Sequence, residues 1–199
     1  MNSSNPSKLG RPRSGDAHQA ILKSALQLVS AQGFRAITVN QIAAEAGVGK
    51  MTIYRRWPNK AAVVMDALLE LVGPQTDFPA SMRALDSLRE QLRLQAKFFR
   101  SRYGRLIRSL LAEAQFDGEL ASAFRNRWIQ PRRRRVIQIL QTAIQEGDLR
   151  SDIDLETTTD ILYGPIYYRL LLGTGVIDDA FIDHVYRQFL TGHQVHKAK

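Results

Sequence analysis

Residues 38–60, TVNQIAAEAGVGKMTIYRRWPNK, constrain the fold more than any other stretch of this chain. Thr38, followed by Gln41 three residues later, is typical of a capping box at the start of a helix. Four apolar residues then recur on one helical face: Val39, Ile42, Ala43 and Ala46. Gly47 suits the left-handed position that ends a helix, and a new helix can begin near Lys50. The stretch therefore predicts two short helices joined by a tight turn.

The second of these helices has an apolar inner face and a cationic outer face. Ile53 and Trp57 lie one turn apart and are predicted to pack on the first helix. Pro58 ends the helix, and Asn59 can cap a further helix that begins at Lys60. The remaining arc carries hydrogen-bond donors: Lys50, Thr52, Tyr54, Arg55 and Arg56. Outward donors are what phosphates and base edges require, so the stretch predicts a DNA-reading helix-turn-helix.

The same residues resemble the DNA-binding domain of the TetR family of transcriptional regulators. The resemblance covers roughly residues 17 to 72 and rests on GFRAITV, TVNQIAAEAG and GVGKMTIYRRWPNK. One departure is Met51, because the family commonly has a small residue at the tip of the recognition helix. A thioether there can contact a thymine methyl group or fill space against a neighbouring helix. The substitution therefore bears on the operator sequence and not on the fold.

The resemblance also implies roles for particular side chains. It places three residues on the floor of the major groove: Lys50, Met51 and Thr52. It places four residues on phosphates: Thr38, Tyr54, Arg55 and Lys60. It further implies a homodimer that binds a pseudo-palindromic operator in double-stranded DNA with two reading heads. Repression, relieved by an unknown small-molecule effector, is the expected mode of action.

The distribution of charge supports a nucleic-acid partner. The formal net charge is +9, and nine Lys and Arg residues but only two acidic residues lie in residues 1–60. The other 139 residues carry 19 basic and 17 acidic side chains. Positive potential is therefore concentrated on the predicted reading head, where counterion release would drive association with a duplex.

Residues 1–15 form a predicted basic arm that is rich in Ser, Pro, Gly and Arg. The tetrapeptide at residues 10–13, GRPR, resembles the core of an AT-hook. Arg11 and Arg13 are therefore candidates for insertion into the minor groove beside the operator. The alternative is a solvated tail without a role in binding.

Helical periodicity runs through almost the whole chain, and alternating β patterns are absent. The expected fold class is all-α, with an N-terminal three-helix helix-turn-helix DNA-binding domain and a C-terminal helical ligand-binding and dimerisation body. Pro131 is expected to kink or split a long helix, and Gly164-Pro165 to break the penultimate one. The predicted segments are a flexible arm over 1–15, the DNA-binding domain over 16–60, a connecting helix and linker over 61–78, the regulatory and dimerisation domain over 79–192, and a tail over 193–199.

The last helix carries apolar residues in pairs, a pattern too broad for one small core contact. In the resembled family the last two long helices form the dimer interface, which assigns five residues to it: Phe181, Ile182, Val185, Tyr186 and Phe189. Packing against the same chain is the alternative. The resemblance also implies a ligand pocket in the body, with seven aromatic candidates: Phe98, Phe99, Tyr103, Phe116, Trp128, Tyr163 and Tyr167. A plain core role is the alternative for each of them. Because the apolar faces of the body carry few acids, a neutral or lipophilic effector is expected.

Composition argues against other classes of protein. The chain has no cysteine, which excludes disulfides, thiolate catalysis and cysteine-zinc sites. No apolar run approaches the roughly 18 to 20 residues that span a bilayer, and a cytoplasmic protein without cofactor, metal or membrane partner is expected. The four histidines have no neighbouring nucleophile, so an enzyme is not expected. Four successive arginines, residues 132–135, cannot share one helical face and are expected to be solvated or paired with acids. The remaining alternative is an architectural DNA-binding protein without sequence preference or effector control.

Overall fold

The computed structural model describes residues 14–73, 76–79 and 82–195. Within these residues the secondary structure is helical, apart from an isolated β-bridge between Leu149 and Gln194. The chain divides into two compact units at Ala67 and Leu68. We call the first unit the head and the second unit the body. None of the described helices is long and apolar enough to cross a membrane.

The head is built from three helices and the start of a fourth. They are α1 (Ser14–Gln32), α2 (Val39–Glu45), α3 (Lys50–Tyr54) and α4 (Lys60–Val72). Its core is apolar and fully enclosed, with Ile21, Ala25, Ile37, Ile42 and Ile53 each at most 1% exposed. Gly47 has a φ of +65°, the left-handed conformation that the turn between α2 and α3 requires. The predicted helix-turn-helix is thus present.

The body contains six further α-helices. They are α5 (Ala84–Arg100), α6 (Arg102–Glu113), α7 (Gly118–Ala123), α8 (Gln130–Gln145), α9 (Leu155–Leu172) and α10 (Asp179–His193). Helix α5 is central because it contacts α6, α8 and α10. Three helices begin at aspartate caps whose carboxylates accept a backbone N–H: Asp117, Asp154 and Asp178. These caps fix the starts of α7, α9 and α10.

Both prolines of the long helices are accommodated without a break in the chain's helical course. A π-helical segment, Phe124–Ile129, joins α7 to α8 immediately before Pro131. A wide turn of this kind is a common response where a proline cannot donate its hydrogen bond. Pro165 lies inside α9, which nevertheless runs unbroken from Leu155 to Leu172. The break expected at Gly164-Pro165 is therefore absent.

Helix α10 is held tightly on α5 of its own chain. Asp183 accepts hydrogen bonds from Arg89 at 3.1 Å and from Arg93 at 2.9 Å. These guanidinium groups, with the Arg93 hydrogen bond the largest cause, lower the pKa of the Asp183 carboxyl group. The Tyr186 hydroxyl donates to the Leu85 carbonyl at 2.9 Å. One face of α10 is consequently used inside the subunit.

This packing corrects the expected interface at three positions. Ile182, Tyr186 and Phe189 are 0%, 8% and 1% exposed within a single chain. Their side chains fill the subunit core and are not available to a partner. Phe181 and Val185 remain half-buried. Only the tertiary structure could decide this, because a paired apolar pattern does not say which half of the face meets the same chain.

The junction between α5 and α6 is unusually close. The Ser101 hydroxyl donates to the Phe98 carbonyl at 2.7 Å and accepts from the Tyr103 amide at 3.2 Å. Gly104, in the first turn of α6, faces the end of α5 so closely that a Cβ atom there would lie 1.9 Å from the Phe99 carbonyl oxygen. The close approach of the two helices therefore requires glycine at position 104. Gly104 does not mark the start of α6, which begins at Arg102.

Candidate nucleic-acid interface and body cavity

Helix α3 turns its polar residues outward. Four of the residues that the sequence assigns to DNA are exposed: Lys50, Met51, Tyr54 and Arg55. Met51, at the tip, is 70% exposed, whereas Ile53 on the opposite face is completely buried. Thr52 is half-buried between them. The helix thus presents two cations, a phenol and a thioether on one surface, as base edges and phosphates require.

The position of this surface is fixed by Trp57, which follows α3. The indole is 2% exposed and donates from Nε1 to Asp66 Oδ2 of α4 at 2.7 Å. The His18 ring of α1 stacks on it with a centroid distance of 5.2 Å and an interplanar angle of 12°. Trp57 therefore ties the end of the recognition helix to two other helices of the head.

Thr38 forms the predicted capping box at the start of α2. Its hydroxyl accepts from the Gln41 amide at 3.2 Å, and Gln41 Oε1 accepts from the Thr38 amide at 2.8 Å. The Thr38 hydroxyl also donates to Gln41 Oε1 at 3.0 Å. Thr38 is exposed. The residue thus fixes the start of α2 and lies at the surface, where a phosphate contact is sterically open.

Lys60 has a structural role that the sequence does not predict. Its ammonium group donates to the backbone carbonyls of Phe34 at 2.9 Å, Ile37 at 3.0 Å and Arg35 at 3.4 Å. The Nζ atom also lies 4.4 Å from the centroid of the Phe34 ring. Since an ammonium group has three N–H donors, all of them point to the loop between α1 and α2. Lys60 joins the start of α4 to this loop and has no donor left for a phosphate.

The predicted minor-groove residues, Arg11 and Arg13, lie outside the described residues.

The body contains a cavity of about 370 Å³ between α5, α8 and α9. This volume is in the range of small-molecule sites, roughly 300 to 1,000 Å³. Of the aromatic candidates, Tyr163 and Tyr167 line it. Gly164 also lines it. Further lining residues that sequence reasoning missed are Gln95, Ile129, Arg132, Arg133, Val136, Thr159 and Asp160.

The other five aromatic candidates lie elsewhere. Phe98, Phe99 and Trp128 are buried in the core of the body, at most 6% exposed. The Tyr103 ring stacks near Phe98 with a centroid distance of 6.1 Å. Phe116 is 81% exposed. Four of these rings thus belong to packing, which was the alternative for each, and Phe116 lies on the surface.

A polar network forms part of the cavity wall. Trp128 Nε1 donates to the Tyr167 hydroxyl at 2.9 Å. The Tyr163 hydroxyl donates to Gln91 Oε1, and Gln91 Nε2 donates to Gln95 Oε1 at 3.0 Å. Burial is the largest effect on both tyrosines and raises the pKa of each phenol, so both remain protonated donors at neutral pH.

The arginine run is divided between the cavity and the surface. Arg133 forms ion pairs with Glu156 and Asp160 of α9. The Arg132 guanidinium lies over the Trp128 ring, 3.9 Å from the centroid. Arg134 and Arg135 are exposed. Arg133 pairs with acids of α9 because α9 packs beside α8 in the tertiary structure.

Helix α9 is apolar on two faces. Leu162, Ile166 and Leu170 are buried in the body. A second stripe faces outward at positions i, i+4, i+7 and i+11: Ile161, Pro165, Tyr168 and Leu172. Ile161, Tyr168 and Leu172 of this stripe are 48%, 56% and 63% exposed. Leu171 and Val176 add 44% and 65% exposed apolar side chains nearby. We call the four-residue stripe the α9 stripe.

Comparison with known proteins extends these observations. Residues 21–67 match the family described as bacterial regulatory proteins, tetR family, and residues 79–189 match the tetracyclin repressor-like C-terminal domain. The chain is 38% identical over 192 residues to the uncharacterized HTH-type transcriptional regulator YdeS of Bacillus subtilis, covering 96% of this chain and 97% of YdeS. It is 30% identical over 174 residues to the DNA-binding transcriptional repressor TetR of Mycobacteroides abscessus, covering 82% and 86% of the two chains.

Solved structures agree with this assignment. The crystal structure of the TetR family transcription regulator SCO0332 superposes with a TM-score of 0.76 at 30% identity, over 89% of this chain and 98% of that one. The flavonoid-responsive regulator FrrA superposes with a TM-score of 0.68 at 25% identity, over 92% and 100% of the two chains. Family, relatives and fold are those of regulators that bind DNA as dimers and are not enzymes. The protein belongs to the TetR family and is a DNA-binding transcriptional regulator.

Proposed function

We propose that this regulator is a repressor that binds a pseudo-palindromic operator as a homodimer and is released by a small-molecule effector. The observation that carries the DNA part of this proposal is the outer face of α3, where Lys50, Met51, Tyr54 and Arg55 are exposed while Ile53 and Trp57 are buried. Since its partner is chromosomal DNA, we place the protein in the cytoplasm.

Within each head, we assign the groove floor to Lys50, Met51 and Thr52. Tyr54, Arg55 and Thr38 are assigned to phosphates. Lys60 is removed from the phosphate contacts because the three carbonyls of the preceding loop take its donors. Contacts to phosphates give affinity without sequence preference, whereas contacts to base edges give preference at particular positions.

Selection of bound fragments from random double-stranded DNA tests sequence specificity. An enriched inverted repeat supports the regulator, and equal recovery of all sequences would instead support the architectural alternative. On the selected operator, Thr52→Ala is expected to relax preference at one base position by about 1 kcal/mol. Arg55→Met is expected to weaken binding to all sequences and to lower the slope of log affinity against log salt by about one. Unchanged specificity and unchanged slope in both variants would contradict this docking.

We assign the dimer interface to the α9 stripe together with the exposed side of α10. The residues of the stripe have the spacing of a helix face that packs on another helix, and the opposite face of α9 already fills the subunit core. A contiguous exposed apolar strip of this kind is costly in a monomer and is explained by a partner helix. Phe181 and Val185 of α10 are half-buried. We retain these two of the five interface residues expected from sequence.

Leu172→Glu is expected to weaken the dimer about 10-fold to 100-fold, because it places a charge in an apolar contact. Analytical ultracentrifugation over a range of protein concentrations measures the dissociation constant. Met82→Glu is the matched control, because Met82 is 47% exposed and lies outside α9 and α10. A wild-type protein that sediments as a 22.5 kDa monomer at micromolar concentration would contradict the dimer itself. An equal loss in both variants would contradict only the assignment to the stripe.

The cavity between α5, α8 and α9 is the proposed effector site. It has the volume of a small-molecule site, and its wall combines apolar groups with a few polar ones. A ligand that binds more tightly to the conformation without DNA would shift the population away from the operator-bound form. FrrA, whose name describes a response to flavonoids, supports control of this fold by a small molecule.

A further inference from the structure

The cavity wall carries two neighbouring arginines in opposite electrostatic situations. Arg133 is neutralised by the carboxylates of Glu156 and Asp160. Arg132, the residue before it on α8, has no carboxylate oxygen within 4.0 Å among the described residues, which include every Asp and Glu of the chain. The Asp77 carboxylate acts on Arg132 only from a longer distance. The wall therefore holds one cation whose charge the protein does not balance by direct contact.

The hydrogen bonds of Arg132 are also incomplete. Its guanidinium donates to the Trp128 carbonyl and to the Thr76 hydroxyl, each at the long distance of 3.4 Å. Its five N–H donors exceed these two contacts. Burial is the main effect on this group and lowers the pKa of Arg132. An arginine nevertheless stays charged, so the charge is held in a partly desolvated place where an anion gains most.

A neutral donor lies on the same wall. The Tyr167 oxygen accepts from Trp128 Nε1 at 2.9 Å, and Tyr167 lines the cavity. Because the indole N–H is the donor in this bond, the Tyr167 hydroxyl hydrogen is left to donate to a ligand.

The remainder of the cavity favours an apolar ligand body. Ile129 and Val136 contribute aliphatic surface, and Gly164 leaves the side of α9 open, since nothing lies within 4 Å of the position of a Cβ atom there. From the cation without a carboxylate in contact, the hydroxyl donor and this apolar surface, we infer that the effector is an organic carboxylate, held by Arg132 and Tyr167 with its apolar part between α8 and α9. This inference rests on the proposed effector site. From sequence a neutral or lipophilic effector was expected, and the inferred effector is a lipophilic acid.

Matched pairs of acid and primary amide test the charge of the ligand, because they differ in charge but hardly in shape. We choose octanoate with octanamide, phenylacetate with phenylacetamide, and 2-naphthoate with 2-naphthamide. Isothermal titration calorimetry on the full chain is expected to show at least one acid that binds about tenfold more tightly than its amide. Amides that bind as tightly as the acids would overturn the inference, and so would the absence of any acid with a dissociation constant below about 1 mM.

Variants test which residues cause the preference for acids over amides. Arg132→Gln is expected to lower the affinity for the acid about tenfold and to leave the affinity for the amide within about threefold. Arg135→Gln, which removes the same charge from an exposed position of α8, is expected to change neither. Tyr167→Phe keeps the ring and is expected to reduce the preference for the acid about threefold. Circular dichroism confirms folding of each variant. A preference for acids that survives in both Arg132→Gln and Tyr167→Phe would overturn the assignment.

Operator binding in the same samples separates this inference from the proposed function. Fluorescence anisotropy of labelled operator is expected to fall when a bound acid is added. If amides release the operator and acids do not, effector control stands and the carboxylate assignment is overturned. If acids bind through Arg132 but leave operator affinity unchanged, the carboxylate site stands and control through this cavity fails.

Discussion

Replacing Lys60 with methionine is expected to lower the local stability of the head by about 2 to 3 kcal/mol. The substitution keeps the length of the side chain but removes a charged donor from the carbonyls of Phe34, Arg35 and Ile37. These carbonyls belong to the loop that positions α2. Hydrogen-deuterium exchange measured on peptides of α1 to α3 is expected to accelerate, while exchange in the body serves as an internal reference.

Lys50→Met is the matched control for this prediction. It removes the same charge from the exposed start of α3, so the stability of the head is expected to change by less than about 0.5 kcal/mol. Its affinity for the operator is expected to fall with a smaller salt dependence. Lys60→Met should instead weaken binding through a less ordered head. Unchanged exchange in Lys60→Met, with a reduced salt slope, would return Lys60 to the phosphate contacts.

Gly104→Ala is expected to destabilise the body by about 3 kcal/mol or more. A Cβ atom at this position would lie 1.9 Å from the Phe99 oxygen, 2.6 Å from the Phe99 carbonyl carbon and 2.9 Å from its Cα. All three are backbone atoms at the end of α5, so no side-chain rotation relieves the clash. The start of α6 must move away from α5, which loosens the Ser101 cap. Thermal unfolding is expected to begin about 6 to 12 °C earlier than in the wild type.

Gly118→Ala is the control for the Gly104 prediction. Gly118 is the first residue of α7, and nothing lies within 4 Å of the position of its Cβ atom. Alanine also restricts the unfolded chain, so this variant is expected to be neutral or to gain up to about 1 kcal/mol. If the two variants melt at the same temperature, the close approach at Gly104 is not a feature of the folded protein.

The local features of the head were predictable because their causes are local. The capping box of Thr38 and Gln41 and the left-handed Gly47 act over three or four residues, so the sequence pattern and the geometry coincide there. Helix α3 ends earlier than expected, at Tyr54 and not at Pro58. The inward positions of Ile53 and Trp57 followed from helical spacing alone.

Long-range contacts could not be predicted in the same way. Lys60 has the positive charge of a phosphate ligand. Its ammonium group binds three carbonyls only because the loop after α1 folds back to the start of α4. Paired apolar residues on α10 indicated a broad contact face. Which half of that face is buried depends on α5, where Arg89, Arg93 and Leu85 hold the helix.

The amino-acid sequence alone thus determined the family, the helical class and the outward polar surface of α3, because helical spacing, caps and turns are fixed by neighbours along the chain. The tertiary structure decided which exposed surfaces remain once the subunit core is filled, namely the α9 stripe and the cavity with Arg132 in its wall. Arg132 and Arg133 are adjacent in sequence and chemically identical. Only the packing of α9 beside α8 gives one of them two carboxylates and leaves the other without a countercharge in contact.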